Sequence, residues 1–229
     1  MKYLLILLVL FVGCQKDTTR KPRATKWPTT FQAAKAVAER VVYHENRVTF
    51  YCGCAYSAVG VIDPTACGYK PRLSAKRGLR MEWEHIIPAQ QFGGHRPCWK
   101  GCDGLKGRAC CRKTDPMFRT MEADLMNLVP SVGELNGDRS NRPYGIVEGE
   151  PRNYGACDFE VDFVRDVAEP RENIRGDIAR IYFHMMKKYP DQIRITPQQY
   201  EMLQLWDKQD PVSVEESVRV RMITALDNT

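Results

Sequence analysis

The sequence predicts an α+β fold that is mostly helical and forms a single, disulfide-bonded domain. Five segments carry apolar residues at helical spacing, two short segments are rich in β-branched and aromatic residues, and eight cysteines lie between residues 52 and 157. A chain of 229 residues with 43% hydrophobic residues can build one core of ordinary size. We therefore expect one folded domain behind a short N-terminal appendage.

The N-terminus has the features of an export leader. Residues 1–13 hold an apolar run that is too short to anchor a helix in a bilayer but has the length of a secretory h-region. Residues 10–14 are similar to a lipobox, so we favour lipidation of Cys14 over ordinary signal-peptidase cleavage. Residues 14–28 are polar, basic and interrupted by prolines, which predicts a flexible tether before a domain at residues 29–229. We expect an exported protein that is periplasmic, secreted or lipid-anchored to the bacterial envelope.

The helices are predicted from apolar periodicity and from capping residues. Residues 31–43 follow Thr29 or Thr30 as an N-cap, and their apolar side chains recur at helical spacing. An aspartate and a proline then form an N-cap and first-turn pair for a second helix over residues 116–128. Three further helices are predicted at residues 171–188, 196–208 and 213–226.

Extended structure is predicted in the middle of the chain. Residues 48–52 and 80–87 carry the β-branched and aromatic residues expected of strands. Because alternate side chains of a strand point to opposite faces, Glu82 and Glu84 should share one face while His85 lies on the other. A cation and a base could thus flank one phosphate.

The cysteines are expected to be oxidised after export. An even set of eight is typical of four disulfides, with Cys14 as the odd residue that lipidation would explain. Zinc is the alternative, but the spacings lack the paired regularity of zinc modules, so we favour disulfides with their connectivity left open. Such bonds would order the long Gly- and Cys-rich loop at residues 93–111. The predicted disulfide cysteines are Cys52, Cys54, Cys67, Cys98, Cys102, Cys110, Cys111 and Cys157.

Positive charge is concentrated in one part of the chain. The net charge is +6, and residues 69–119 hold twelve Lys and Arg against four Asp and Glu. A solvated basic face is the simplest explanation of such an excess, but a carboxylate and an imidazole within it favour a field that steers a polyanion. The basic residues expected to contact DNA are Arg80, Lys106, Arg112, Lys113 and Arg139.

Three short motifs carry the candidate chemistry. Glu84 directly precedes His85 in the run Glu-Trp-Glu-His-Ile-Ile-Pro. A Gly-Arg pair follows at Arg108, and Asn136 lies in the run Gly-Glu-Leu-Asn-Gly-Asp-Arg. Carboxylate, imidazole, guanidinium and carboxamide are the groups needed to hold one hard cation, activate a water and stabilise a phosphorane. The set predicts a site that cuts phosphodiester bonds.

The motifs, in their order and spacing, resemble the bacterial endonuclease I family of periplasmic or secreted nucleases, over roughly residues 30–215. The resemblance implies a ββα-metal (His-Me finger) motif at the centre of the fold. It also implies a monomeric, nonspecific endonuclease that cuts single- and double-stranded DNA, often RNA too, and leaves 5′-phosphate ends. Family members commonly continue into a segment rich in Gln, Gly, Asn and Pro, so the C-terminal end of this chain departs from the family pattern.

Carried over by position, the resemblance assigns a role to five residues. His85 is the general base that takes a proton from the attacking water. Glu84 and Asn136 are the protein ligands of one Mg²⁺, for which Mn²⁺ or Ca²⁺ could substitute. Arg108 binds the scissile phosphate, and Glu122, the third catalytic residue, matches an acidic position near the site.

Two other classes of protein compete with an enzyme. The main alternative is a catalytically inactive lipoprotein of the envelope that binds nucleic acid through the basic face. The second is a disulfide-rich structural protein whose charges serve solubility, and salt-dependent retention of DNA would count against it. An inactive relative is expected to lose at least one of the catalytic residues, and this chain retains the full set.

Several polar residues are expected to be structural. His44 and His184 lie in helical patterns beside apolar residues. Asn127 is expected to act through local capping. Glu82 either adds to the metal shell or pairs with an arginine.

Overall fold

The structure, a computed structural model, describes residues 27–227. The predicted leader, the tether up to residue 26 and the lipidation site Cys14 lie outside the described residues. Within that range, no helix combines the length and the apolar character needed to cross a bilayer.

The helices are α1 (Phe31–Val37), α2 (Ala75–Gly78), α3 (Ala89–Gly93), α4 (Pro97–Lys100), α5 (Gly107–Thr114), α6 (Pro116–Glu122), α7 (Gly133–Arg139), α8 (Arg175–Lys188), α9 (Pro197–Gln209) and α10 (Val214–Asp227). The strands are β1 (Met81–His85), β2 (Leu128–Val132), β3 (Phe159–Asp162) and β4 (Val167–Pro170).

Helix α1 begins where the sequence predicts it. The hydroxyl of Thr30 caps the helix by accepting a hydrogen bond from the amide of Ala33 at 3.2 Å. A π-helical turn, Ala38–Val42, continues the helix. The buried side of both segments packs with Leu128 of β2 and Ile223 of α10. The predicted N-terminal helix is therefore confirmed, and it is fixed to the strand that pairs with β1.

Strands β1 and β2 pair antiparallel, and α7 follows β2 directly. The register runs from Met81 opposite Val132 to His85 opposite Leu128. A Cβ atom at Gly133 would lie 2.7 Å from the backbone oxygen of Arg77, so a glycine is needed where β2 passes into α7. The three elements form a compact β-β-α unit.

A larger core surrounds this unit on its other side. It contains buried residues of α3, α6 and α7 and of the helices α8 and α9. Strands β3 and β4 form a second antiparallel pair, in which Glu160 lies opposite Glu169. Helices and two small antiparallel sheets thus make an α+β fold, as predicted.

The structure corrects four details of the prediction. Residues 48–52 form no strand and contribute an isolated bridge to Ala55. The loop at residues 93–111 contains α4 and the start of α5, and the predicted helix at residues 116–128 ends at Glu122. This helix ends at Glu122 because the side chain of Asp124 accepts a hydrogen bond from the amide of Met126 at 2.9 Å and starts a 3₁₀ turn. The remaining difference is the pair β3 and β4, which the sequence did not predict.

All eight predicted cysteines form disulfides, so that prediction is confirmed. The pairs are Cys52–Cys157, Cys54–Cys67, Cys98–Cys111 and Cys102–Cys110. The first joins residues 105 apart in sequence, for which loss of chain entropy in the unfolded state contributes about 4–5 kcal/mol. The last two bonds fix consecutive residues of α5 to the preceding segment.

Glu160 provides a pH-dependent test of the β3–β4 pair. Its side chain is 2% exposed, its Oε1 lacks a hydrogen-bond partner among the described residues, and Arg152 lies 3.8 Å away. Burial, and then the charge of Asp158, raises the pKa of Glu160 to about 7. Because the pKa is raised on folding, the stabilising contribution is complete below the unfolded pKa and is lost as the pH rises through about 7.

We therefore expect Glu160→Gln to raise the free energy of unfolding at pH 8 by on the order of 2 kcal/mol and to leave it nearly unchanged at pH 4. Urea unfolding of the variant and the wild type at both pH values measures the difference. Glu201→Gln, at an exposed position of α9, is the control. An equal effect of Glu160→Gln at both pH values would contradict the expectation.

Candidate active site

Strand β1 presents alternate side chains to the two sides of its pair with β2. On one side, the ring of His85 packs against that of Phe31, with 5.0 Å between the centroids. On the other side, Glu84 contacts Tyr51 and Arg139. The predicted alternation is present, and it divides the site into an imidazole side and a carboxylate side.

His85 is buried at the end of β1, and its two ring nitrogens have different surroundings. Nε2 lies 2.9 Å from the backbone oxygen of Glu122, which can only accept, so Nε2 carries the proton. Nδ1 is unprotonated and accepts a hydrogen bond from Nη2 of Arg108 at 3.4 Å. Burial, followed by the charge of Arg108, lowers the pKa of His85 to about 4 against the opposing effect of the Glu122 backbone. The imidazole is therefore neutral at neutral pH.

Glu122, the last residue of α6, holds two arginines of α5. Its carboxylate is 1% exposed and accepts hydrogen bonds from Nε of Arg108 and from Nε of Arg112, the latter at 2.8 Å to each oxygen. The arginines are four residues apart on one helix face, so both reach the same carboxylate. Their side chains stay 38% and 40% exposed, which leaves their outer N–H groups accessible to an anion.

Glu84 is the centre of the carboxylate side. Its Oε1 accepts hydrogen bonds from the hydroxyl of Tyr51 at 2.9 Å and from Nη1 of Arg139 at 3.1 Å. Burial raises the pKa of Glu84, and the hydrogen bonds and charge of these two partners oppose the increase. Because both side-chain donors bind Oε1, we assign Oε2 as the oxygen that faces a ligand.

Asn136 lies on α7 beside the other carboxylate of β1. Its Nδ2 donates to Oε2 of Glu82 at 3.1 Å, so the oxygen that it offers to a ligand is Oδ1. Glu82 also pairs with Arg77 and Arg80. Burial acts to raise the pKa of Glu82, but the hydrogen bonds from these arginines lower it overall. Of the two expectations for Glu82, pairing with arginine is the one observed.

Glu84 Oε2 and Asn136 Oδ1 are the candidate ligands of a cation. Glu84 lies on the side of β1 that α7 covers, and α7 carries Asn136. A carboxylate and a carboxamide oxygen are hard ligands, which fit Mg²⁺ or Ca²⁺. Within residues 27–227, no group of three or more His, Cys, Asp or Glu side chains is placed to hold a metal ion. A cation held by these two oxygens would keep several of its waters.

The five basic residues expected to bind DNA differ in their placement. Lys106 is exposed at the N-terminus of α5. Arg80, Arg112 and Lys113 reach the surface, and each pairs with a carboxylate. Arg139 is 0% exposed and donates to Glu84 and to backbone carbonyls of β1 and the residue after it. The prediction that Arg139 contacts DNA is wrong, because a fully buried guanidinium cannot reach a phosphate.

The remaining polar residues have surroundings that agree with structural roles. His44 is exposed, and His184 lies 3.6 Å from the buried carboxylate of Asp124. Asn127 accepts a hydrogen bond from the amide of Ile87 at 2.7 Å and donates to its carbonyl at 3.0 Å. Asn127 therefore joins distant segments, rather than capping its own turn as expected.

Phe31 and Arg77 contribute to the site, and sequence reasoning did not single them out. The Phe31 ring lies 4.9 Å from Cζ of Arg108 and 5.2 Å from Cζ of Arg112. In the sequence, Phe31 is distinguished by its position as the first residue after the helix cap. For Arg77, a basic residue five positions before Glu82, the sequence held no distinguishing signal.

Known proteins match this chain along most of its length. The model of the family described as endonuclease I matches residues 27–229, so the match includes the C-terminal end. The chain is 41% identical over 219 residues to an endonuclease-1 of Buchnera aphidicola subsp. Acyrthosiphon pisum, covering 94% of this chain and 83% of that protein. Over 201 residues, it is 42% identical to an extracellular deoxyribonuclease of Aeromonas hydrophila, with 86% and 84% covered. A periplasmic deoxyribonuclease of the same species is 40% identical over 201 residues, with 86% and 81% covered. The chain therefore belongs to the endonuclease I family and is a nuclease.

Proposed function

We propose that this chain is an exported, Mg²⁺-dependent endonuclease that hydrolyses phosphodiester bonds of DNA without sequence preference. Relatives named as extracellular and periplasmic deoxyribonucleases support DNA as the substrate and support export. The observation that carries the proposal is the arrangement of His85, Arg108 and Glu122. A neutral imidazole keeps its lone pair beside a guanidinium that a buried carboxylate holds.

His85 acts as the general base. Its Nε2–H donates to the backbone of Glu122, which fixes both the tautomer and the direction of the ring. Nδ1 then takes the proton of a water that attacks phosphorus. The ring of Phe31 packs against the imidazole, with 5.0 Å between the ring centroids.

Arg108 binds the scissile phosphate. Its Nε is engaged by Glu122, so the terminal nitrogens are the donors that face an anion. These nitrogens lie next to Nδ1 of His85, and a phosphate held there is within reach of the water that the base activates. A planar guanidinium matches two phosphate oxygens at once and offsets the charge that develops in the transition state.

Glu84 and Asn136 would hold one Mg²⁺, or Mn²⁺ or Ca²⁺ in its place. The ion would stabilise negative charge on the leaving 3′ oxygen. Tyr51 and Arg139 orient the Glu84 carboxylate through its other oxygen. The base at the end of β1 and a ligand on α7, with β2 between them in the chain, correspond to the ββα-metal (His-Me finger) motif that we propose for the unit.

The proposed contacts also define the substrate range. These contacts are made to phosphate groups and not to base edges. Both single- and double-stranded DNA can therefore bind at the site, and RNA is a further substrate. Departure of the 3′ oxygen leaves a 5′-phosphate end. We also propose that the protein acts as a monomer, because all residues of the proposed site lie on one chain. The alternative, an inactive DNA-binding lipoprotein, has no specific observation in its favour.

Plasmid digestion with and without metal tests the proposal. Oxidised, leader-free protein should nick and linearise a supercoiled plasmid with Mg²⁺, and EDTA should stop the reaction. EDTA should leave thermal unfolding unchanged, because disulfides and not the metal hold the fold.

Asn136→Ala should lower the rate, whereas Asn46→Ala at an exposed position should not. Cutting in EDTA would contradict the metal role, and a salt-sensitive gel shift without cutting would favour the inactive alternative.

We also propose that Cys14 is the site of lipid attachment. The support is the lipobox-like sequence at residues 10–14. Cells given labelled palmitate should incorporate the label into the wild type and not into Cys14→Ser. Label in the Cys14→Ser protein would contradict this assignment.

A further inference from the structure

We propose that Phe31 is a positioning residue for the reaction, whose ring holds the Arg108 guanidinium in place beside His85. The inference rests on the proposed function. Phe31 belongs to α1, which is far in sequence from β1, α5 and α6, the elements that supply His85, Arg108 and Glu122.

The backbone of α1 fixes where Phe31 lies. Thr30 caps the helix and thereby sets Phe31 as its first residue. Ala34, one turn later, is fully buried in the same cluster as Leu128 of β2. Since Leu128 is the register partner of His85, the packing of α1 places the Phe31 side chain over the end of β1.

The Phe31 ring contacts several functional groups at once. Its centroid lies 5.0 Å from the centroid of His85, 4.9 Å from Cζ of Arg108 and 5.2 Å from Cζ of Arg112. The ammonium of Lys35, on the next turn of α1, lies 5.0 Å away. An aromatic ring attracts cations through its negative faces, which an aliphatic side chain of similar size does not do.

This contact complements the hydrogen bond to Glu122. Glu122 holds Arg108 at Nε, but a bond at one edge leaves the guanidinium plane able to tilt about it. The ring of Phe31 attracts the guanidinium carbon, so it limits the tilt without using any N–H group. The terminal nitrogens stay available for the phosphate, next to Nδ1 of His85. Phe31 thus acts on the reaction through Arg108, which it holds beside His85.

The test separates the aromatic ring from its apolar bulk. In steady-state cleavage of a labelled duplex with Mg²⁺, Phe31→Leu should lower kcat about tenfold and change KM by less than about twofold. Phe31→Tyr keeps the ring and should retain kcat within about twofold. Gln32→Ala, at the exposed neighbouring position, is the matched control. Phe31→Met replaces the leucine variant if that variant does not fold.

A double-mutant cycle tests whether Phe31 acts through the guanidinium. In an Arg108→Lys background, Phe31→Leu should lower kcat by less than about twofold, because the planar group that the ring positions is gone. A full tenfold effect in that background would overturn the proposal. Unchanged kcat in Phe31→Leu, or equal losses in Phe31→Leu and Phe31→Tyr, would also overturn it. A wild type that does not cut DNA would instead contradict the proposed function itself.

Discussion

His85→Ala is expected to lower the rate of DNA cleavage by about a thousandfold while DNA binding survives. Water is a poor nucleophile, and the variant has no other group at the place of Nδ1, beside Arg108, to take its proton. Arg108, Arg112 and the carboxylate that holds them remain, so the phosphate site is preserved. Cleavage of a labelled duplex at saturating Mg²⁺ measures kcat, and a gel shift in Ca²⁺ measures binding.

The controls for this experiment concern folding and the choice of histidine. His85 is buried, so its removal leaves a cavity, and thermal unfolding must show that the variant is folded at the assay temperature. His85→Gln, which fills more of the space, should be as inactive as His85→Ala. His44→Ala removes an exposed histidine and should cut at the wild-type rate. Full activity in a folded His85→Ala protein would exclude His85 as the base.

Arg139→Met is expected to lower the free energy of unfolding by about 3–5 kcal/mol. Its guanidinium is fully buried, pairs with Glu84 at 3.1 Å and donates to the carbonyls of His85 and Ile86. The methionine leaves a buried carboxylate and two backbone acceptors without these partners. Urea unfolding of oxidised protein measures the loss.

Two further variants identify the cause of that loss. Arg165→Met removes an arginine that is 60% exposed and pairs with surface acids, so it should cost less than about 1 kcal/mol. Adding Glu84→Gln to Arg139→Met removes the unpaired charge and should recover part of the lost stability. If the second change lowers stability further, the loss in Arg139→Met comes from packing and not from the uncompensated carboxylate.

Local patterns account for what could be predicted of the fold. The α1 helix, β1 and the three C-terminal helices were predicted because periodicity and capping act within a few residues. The helix predicted over residues 116–128 ended early because Asp124 starts a new turn, and Leu128 then paired with β1. Strands β3 and β4 are four residues each, too short to give a clear period.

For the candidate site, the sequence could identify groups but not their partners. Glu84, His85, Arg108 and Asn136 were identified from residue types and motif spacing, and Glu122 from the resemblance to the family. Their surroundings required the structure.

Residue patterns along the chain were enough to predict its helical character, the set of bonded cysteines and the residue types of the site. Tertiary contacts were needed to show that Arg139 is a buried partner of Glu84 and not a DNA contact. The position of Phe31 beside His85 and Arg108, and the pairing of the cysteines, likewise became known from the structure. This difference arises because periodicity and capping act over one or two helical turns. Burial and pairing instead depend on segments that are distant in sequence and meet only when the core forms.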